Sequence, residues 1–223
     1  MTLLDQILKL DSTNAEALRA ISVPYLKRGL PHKWKPLFDS AVKYDPKTWQ
    51  PWRGYLYLRF YRDYKKAIAD FNASDTLTSY IDYPQGHSVD YWRGIAYLGL
   101  KDYKNSIAYF DKHIKKETED TGEDWVELEA FLYRGIAEYE LGNHQKAIAD
   151  FKKIKTLFSY SAEAKYYWAQ CLIVLNKKSE ALSLLGEAET DYKNQLRLSH
   201  DYVEMPYQIY LSDIEALKSS LFP

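Results

Sequence analysis

Apolar residues recur along this chain at the spacing of helices, and from residue 15 onward the stripes come in pairs. Residues 3–10 (LLDQILKL) put apolar side chains at i, i+1, i+4, i+5 and i+7, which predicts one helical stripe. Asp11 to Asn14 ends that helix and offers caps for the next. Leu18, Ile21, Tyr25 and Leu26 then form one face, Gly29 and Pro31 mark a turn, and Trp34, Leu37, Phe38, Ala41 and Val42 form the facing stripe. Asp45-Pro46 closes that pair, because proline disfavours a helical residue before it. Pro24 falls inside the first of the two helices and is expected to kink or shorten it.

The pairing becomes explicit in three copies of one pattern. WRGYLYLRFYRDYKKAIADF ends at Phe71, YWRGIAYLGLKDYKNSIAYF at Phe110 and YRGIAEYELGNHQKAIADF at Phe151. Gly94 and Phe110 stand 16 residues apart, as do Gly135 and Phe151, whereas Gly54 and Phe71 are 17 apart with the extra residue in the turn. A small residue lies four before each phenylalanine: Ala67, Ser106 and Ala147. Small residues near the middle of two facing helices let them approach closely, so each copy reads as an antiparallel helical hairpin. A weaker copy runs from Ala162 through Tyr166, Trp168, Ala169, Leu172 and Leu175 to Ala181, Leu184, Leu185 and Ala188. Pro206 is expected to open a last helix with Ile209, Tyr210, Ile214 and Leu217 on its stripe. Two stretches interrupt the rhythm. Residues 75–87 (DTLTSYIDYPQGH) show no period and predict a loop that is either a spacer or a functional edge, while Glu117 to Asp124 (ETEDTGED) predicts a solvated acidic turn.

Composition narrows the function classes. The chain has 223 residues and a net charge of -1, which gives no electrostatic case for nucleic acid or an anionic membrane. No apolar run approaches the roughly 18 residues of a membrane span, and the opening residues lack a secretory pattern, so a cytoplasmic location is expected. Cys171 is the single cysteine, which precludes an internal disulfide and fits a reducing compartment. It lies among Ala169, Leu172 and Ile173 and reads as a buried, inert thiol. The histidines at 32, 87, 113, 144 and 200 are scattered without zinc spacing, and His144 takes the place Tyr103 has in the sister copy, a packing position. The acidic run lacks the ligand spacing of a calcium loop. No nucleophile elbow, phosphate loop or dinucleotide fingerprint is present, so no catalytic residue, cofactor or metal is expected. What stands out is 16% aromatic residues, including 21 Tyr and 6 Trp.

Gly94, Tyr97, Tyr103, Ser106 and Phe110, with Gly135, Gly142, Ala147 and Phe151 and with Gly54, Tyr57, Ala67 and Phe71, resemble the tetratricopeptide repeat. That family's unit of about 34 residues carries W-x2-L-G-x2-Y, then A-x3-F, then P. The fainter Tyr25, Gly29, Phe38, Ala41 and Pro46 follow the same order. The resemblance spans residues 15–193 and implies an all-α, right-handed solenoid of about five helix-turn-helix hairpins, a single domain over 1–223 with an opening helix at 1–13 and a capping helix at 200–221. The chain departs from the family at the residue before the glycine, where Arg53, Arg93 and Arg134 replace leucine. A buried arginine needs a partner, and Asp70 and Asp150, each one residue before its phenylalanine, are expected to clip the two helices together. The rival reading is a row of arginines lining an anion-binding groove.

The family's first helices line a concave face where peptides lie. Carried over by offset from the glycine, the inward positions are Arg19, Val23 and Leu26; Pro51, Tyr55 and Leu58; Tyr91, Ile95 and Leu98; Leu132, Ile136 and Tyr139; and Tyr166, Gln170 and Ile173. The strip is apolar and aromatic and lacks the lysine, asparagine and arginine set of the chaperone-binding subclass, so the resemblance implies a protein or peptide partner held by aromatic anchors. The alternative is that the strip packs between repeats or is filled by the protein's own C-terminal helix. The expected function is non-catalytic protein binding of the adaptor, secretion-chaperone or immunity type found in small bacterial proteins of this repeat, by a monomer or weak homo-oligomer. A self-associating structural repeat protein is the alternative.

Overall fold

The structure, a computed structural model, describes residues 3–198 and 202–221. Those residues form twelve α-helices and, among them, no strand. They gather into two compact units, Met1–Ala96 and Tyr97–Pro223, with the boundary inside one helix. The first unit holds α1 (Leu3–Leu10), α2 (Ala15–Lys27), α3 (Pro31–Tyr44), α4 (Pro46–Tyr61), α5 (Tyr64–Ser74) and the start of α6 (Val89–Gly99). The second holds α7 (Tyr103–Thr121), α8 (Leu128–Glu140), α9 (His144–Leu157), α10 (Ala162–Val174), α11 (Lys178–Lys193) and α12 (Leu211–Ser219). Within the units α2 packs on α3, α4 on α5, α8 on α9 and α10 on α11, as the paired stripes predict.

Local chemistry sets the ends of these helices. Asn14 Oδ1 accepts from the Ala17 amide at 2.9 Å, and Asp45, Asp63, Asp102 and Ser161 cap α4, α5, α7 and α10 in the same way. Each hairpin turn passes through one left-handed residue: Gly29, Arg62, Lys101, Gly142 and Asn176, with φ between 51° and 80°. Glycine adopts that conformation freely, whereas the arginine and lysine are strained in it.

The repeat residues make the core. Phe71, Phe110 and Phe151 are fully buried, as are Ala67, Ser106 and Ala147. A Cβ on Gly54 would stand 2.7 Å from Cε1 of Phe71, and one on Gly135 would stand 2.6 Å from Cε1 of Phe151. The glycines are therefore demanded by contact with the opposing ring, at helical backbone angles.

Three local expectations are corrected. Pro24 sits in the last turn of α2 and does not cut it short, since the helix runs to Lys27. The acidic run is not a turn through its length: α7 continues to Thr121, supported by Lys116–Asp120 and Lys115–Glu119 pairs at i,i+4, and stops only at Gly122 with φ 97°. The last helix begins at Leu211, not at Pro206, because Tyr207 is left-handed at φ 61° and the Asp213 carboxylate accepts from the Tyr210 amide at 2.7 Å, fixing the N-cap there. Residues 200 and 201 of the expected capping element, and His200 with them, lie outside the described residues.

Candidate interaction site

The anticipated concave strip divides by exposure. Leu58, Ile95, Leu98, Leu132 and Ile136 are each 3% exposed or less, and Tyr91 is at 3%. Tyr55, at 9%, is scarcely more open. Val23, Tyr139, Tyr166, Gln170 and Ile173 are half-buried. Leu58, Ile95, Leu98, Leu132 and Ile136 are thus packed into the core, while Val23 and Ile173 are partly open.

Tyr55 and Tyr91 are covered by the chain itself, and so are other tyrosines outside the strip. In the first unit the end of the 75–87 loop folds back: His87 stacks on Tyr91 with ring centres 4.7 Å apart, and Trp92 Nε1 donates to the Pro84 carbonyl at 2.9 Å. Trp92 in turn meets Tyr55 at 4.9 Å. In the second unit residues 202–210 lie against the helices. The Tyr167 hydroxyl on α10 donates to the Tyr207 carbonyl at 2.7 Å, and the Tyr207 hydroxyl lies 2.9 Å from that of Tyr103 on α7. Tyr103 also donates to Glu140 at 3.0 Å. Burial raises the pKa of Tyr139, of Tyr166 and of Tyr207, so these phenols stay protonated donors at neutral pH. Sequence reasoning missed Tyr103 and Tyr167 as contact residues. Tyr103 matches the repeat pattern and so reads as packing, and Tyr167 is one position off the carried-over offset.

The arginines are ion-paired, as the clip reading expects, and do not line an anion site. Arg53 on α4 grips Asp70 on α5 through Nε at 2.8 Å and Nη2 at 2.7 Å, and its Nη1 reaches back to Asp39 on α3 at 2.8 Å. Arg134 on α8 repeats this with Asp150 on α9 at 2.9 and 2.6 Å and with Asp111 on α7 at 2.8 Å. Hydrogen bonding to Asp70 raises the pKa of Arg53; for Arg134 burial opposes the charge, but the bonds to Asp150 and Asp111 outweigh it. Arg93, 2% exposed, lacks a carboxylate at position 109 and binds Asn72 at 3.1 Å, Asp90 at 2.6 Å, Asp75 and the Phe71 carbonyl. Tyr109 instead stacks on Tyr97 at 5.4 Å.

Asp39, Asn72 and Asp111 share one place, the residue after the phenylalanine of the preceding second helix. In the fifth pair that place holds Lys152 and the arginine's holds Trp168, and the ammonium sits 5.7 Å from the indole centre. Lys165 there takes over the clip, buried and 2.7 Å from Asp191 on α11.

Reactive groups are accounted for. Cys171 is fully buried, and burial pushes its thiol up to about 12. His113 lies 2.7 Å from Glu127, His87 stacks on Tyr91, and the His144 ring lies 5.6 Å from that of Tyr139, a packing contact as expected. Among the described residues no three metal-ligating side chains gather, and no helix is long and apolar enough to cross a membrane.

Comparison with known proteins agrees with this geometry. Residues 99–188 match the family model for the anaphase-promoting complex, cyclosome, subunit 3. No curated protein matches the chain. Among solved structures, the chain is similar to YrrB, described as a tetratricopeptide-repeat protein with an unusual peptide-binding site, at 15% identity and a TM-score of 0.65 over 86% of this chain and 94% of that one. It is similar to PilW, a type IV pilus biogenesis factor, at 15% identity and a TM-score of 0.67 over 85% and 83% of the two chains. A MamA protein from Desulfovibrio magneticus RS-1 matches at 16% identity and a TM-score of 0.67 over 81% and 96%. With its glycine–phenylalanine contacts and its paired helices, the chain shares the fold of these structures, YrrB's tetratricopeptide-repeat fold among them.

Proposed function

We propose that the protein is a non-catalytic scaffold that binds a protein or peptide segment. The observation that carries this reading is the hold on residues 202–210: tyrosine hydroxyls on the helices grip the carbonyl and side chain of a non-helical segment, as a peptide receptor must. The half-buried Tyr139, Tyr166 and Gln170 extend the same surface. The description of YrrB as peptide-binding supports the reading by likeness of fold. The buried charges of Asp70, Asp150, Lys165 and Asp191 are engaged in clips between helices, a structural use of charge that suits a scaffold. The reading includes a cytoplasmic location, supported only by the lone cysteine.

Affinity capture from the source cell's extract, with wild type beside Tyr166→Ala/Gln170→Ala, tests it. One stoichiometric protein held by wild type and lost from the variant is expected. Capture that is indifferent to the substitutions moves the site elsewhere, and no capture by either sinks the scaffold.

A second reading, self-association, is favoured by α1, whose Leu3 and Leu10 are 72% and 91% exposed. Light scattering separates the two, since only self-association makes the mass depend on concentration.

A further inference from the structure

Residues 202–210 are held as a ligand is held. They are not helical, yet Met205 and Ile209 are buried to core levels, 6% and 3% exposed. One backbone bond lies within the segment, Gln208 N to Met205 O at 3.3 Å, while the Tyr207 carbonyl and hydroxyl are satisfied by Tyr167 and Tyr103. Met205 and Ile209 flank a turn that the Gln208 amide closes on the Met205 carbonyl with Tyr207 left-handed inside it, so the segment meets the helices through positions 205, 207 and 209. Closing the end of the second unit is the task of α12, which lies on α11 with Ile214 fully buried and Lys218 bonded to Glu189.

Tyr207 also carries a cost. Its φ of 61° is a conformation that side chains other than glycine adopt only under strain. An external segment free of that strain has an advantage over the internal one.

We infer that residues 205–209 are an intramolecular ligand occupying the docking site of the second unit, and that the natural partner displaces them. The partner is then a segment with an apolar side chain, a tyrosine and a second apolar side chain at alternate positions of its sequence, giving Tyr167 a carbonyl and Tyr103 a phenol. This rests on the scaffold reading above.

The test uses the full chain and a fluorescent peptide, YVEMPYQIY, copied from residues 202–210. Met205→Asp/Ile209→Asp is made to release the segment, and Tyr207→Ala is a milder version should the first fail to fold. The peptide is expected to bind the released chain at least about tenfold more tightly than wild type, and adding Tyr167→Phe is expected to weaken that binding about fivefold. Amide exchange is expected to quicken across 202–210 and to stay unchanged in α8 to α11. Equal peptide binding to wild type and variant, no binding to the released chain, or loss of protection in α8 to α11 together with the segment would each overturn the inference. The two proposals fail separately. Peptide binding without any captured cell protein sinks the scaffold and the displacing partner but leaves the internal hold of residues 205–209 standing, and a cell protein bound equally by wild type and released chain sinks the internal ligand alone.

Discussion

The three clear copies each turn on three residues, a glycine, a phenylalanine and an arginine, and each can be perturbed by itself. Gly135→Ala places a methyl 2.6 Å from the Phe151 ring, inside any tolerable contact, and is expected to destabilise by about 1–3 kcal/mol in urea unfolding. Pairing it with Phe151→Leu should recover part of that loss, which separates a clash from a helix-propensity effect. Asp150→Ala strands Arg134, which is only partly screened at 22% side-chain exposure, and a loss of roughly 2–4 kcal/mol is expected. An unchanged melting point would show that Asp111 alone satisfies the guanidinium. Lys101→Gly should act in the opposite direction. Relieving a left-handed lysine at φ 60° is expected to add about 0.5–1 kcal/mol, measured by the same unfolding curve. The first two effects are legible in the sequence, because glycine, phenylalanine and arginine recur at fixed offsets. The lysine's strain is not, since its neighbours at that site are Gly29, Arg62, Gly142 and Asn176, which share no chemistry beyond a turn.

Helices were legible wherever an apolar stripe met a capping side chain, as at Asn14, Asp45, Asp63, Asp102 and Ser161. They were misread where polar residues decide. The end of α7 has no stripe to extend it past Lys116, and what carries it to Thr121 is pairing of lysine with acid one turn on. The start of α12 was misplaced because Pro206 looks like a helix opener, while the cap actually rests on Asp213. That last helix is also tied to an acid-sensitive carboxylate on α11. Hydrogen bonds from Lys193 and Lys218 hold Glu189 down at about 2, against an ordinary 4.5. Because the folded value lies below the unfolded one, the stabilisation is complete above about pH 4.5 and fades as pH falls toward about 2. Amide exchange in α12 is therefore expected to quicken over that range in wild type, and in Glu189→Gln to be quicker at neutral pH and less dependent on acid.

For the molecule as a whole, the repeat period conveyed the fold and the offsets conveyed the core, but exposure was out of reach. A position that faces inward in the family can be open, packed or covered, and the sequence does not distinguish them: Leu58 and Ile136 are packed, Tyr91 is covered by His87, and Tyr166 and Gln170 stay half-open. What covers a site is set by contacts far apart in the chain, such as Tyr103 with Tyr207, which no local pattern encodes. If residues 205–209 occupy the docking site of the second unit, as inferred above, the protein should be a monomer. Light scattering is expected to give 26.2 kDa at every concentration, and a mass that climbs with concentration would favour association through α1.

The backward reach of the arginines gives the chain a direction. Asp39, Asn72 and Asp111 all precede the arginine that binds them, while Asp70 and Asp150 follow theirs. On the ribosome, the guanidiniums of Arg53 and Arg134 emerge after the first acceptor and before the second, while the acceptors named for Arg93 all precede it. A newly made first helix thus finds an anchor on the hairpin already formed, and only then is it closed by its own partner, so that within each unit assembly is guided from the N-terminal side. Removing hairpins from the C-terminal side leaves acceptors idle at the surface, whereas removing them from the N-terminal side leaves a buried cation short of its anchor.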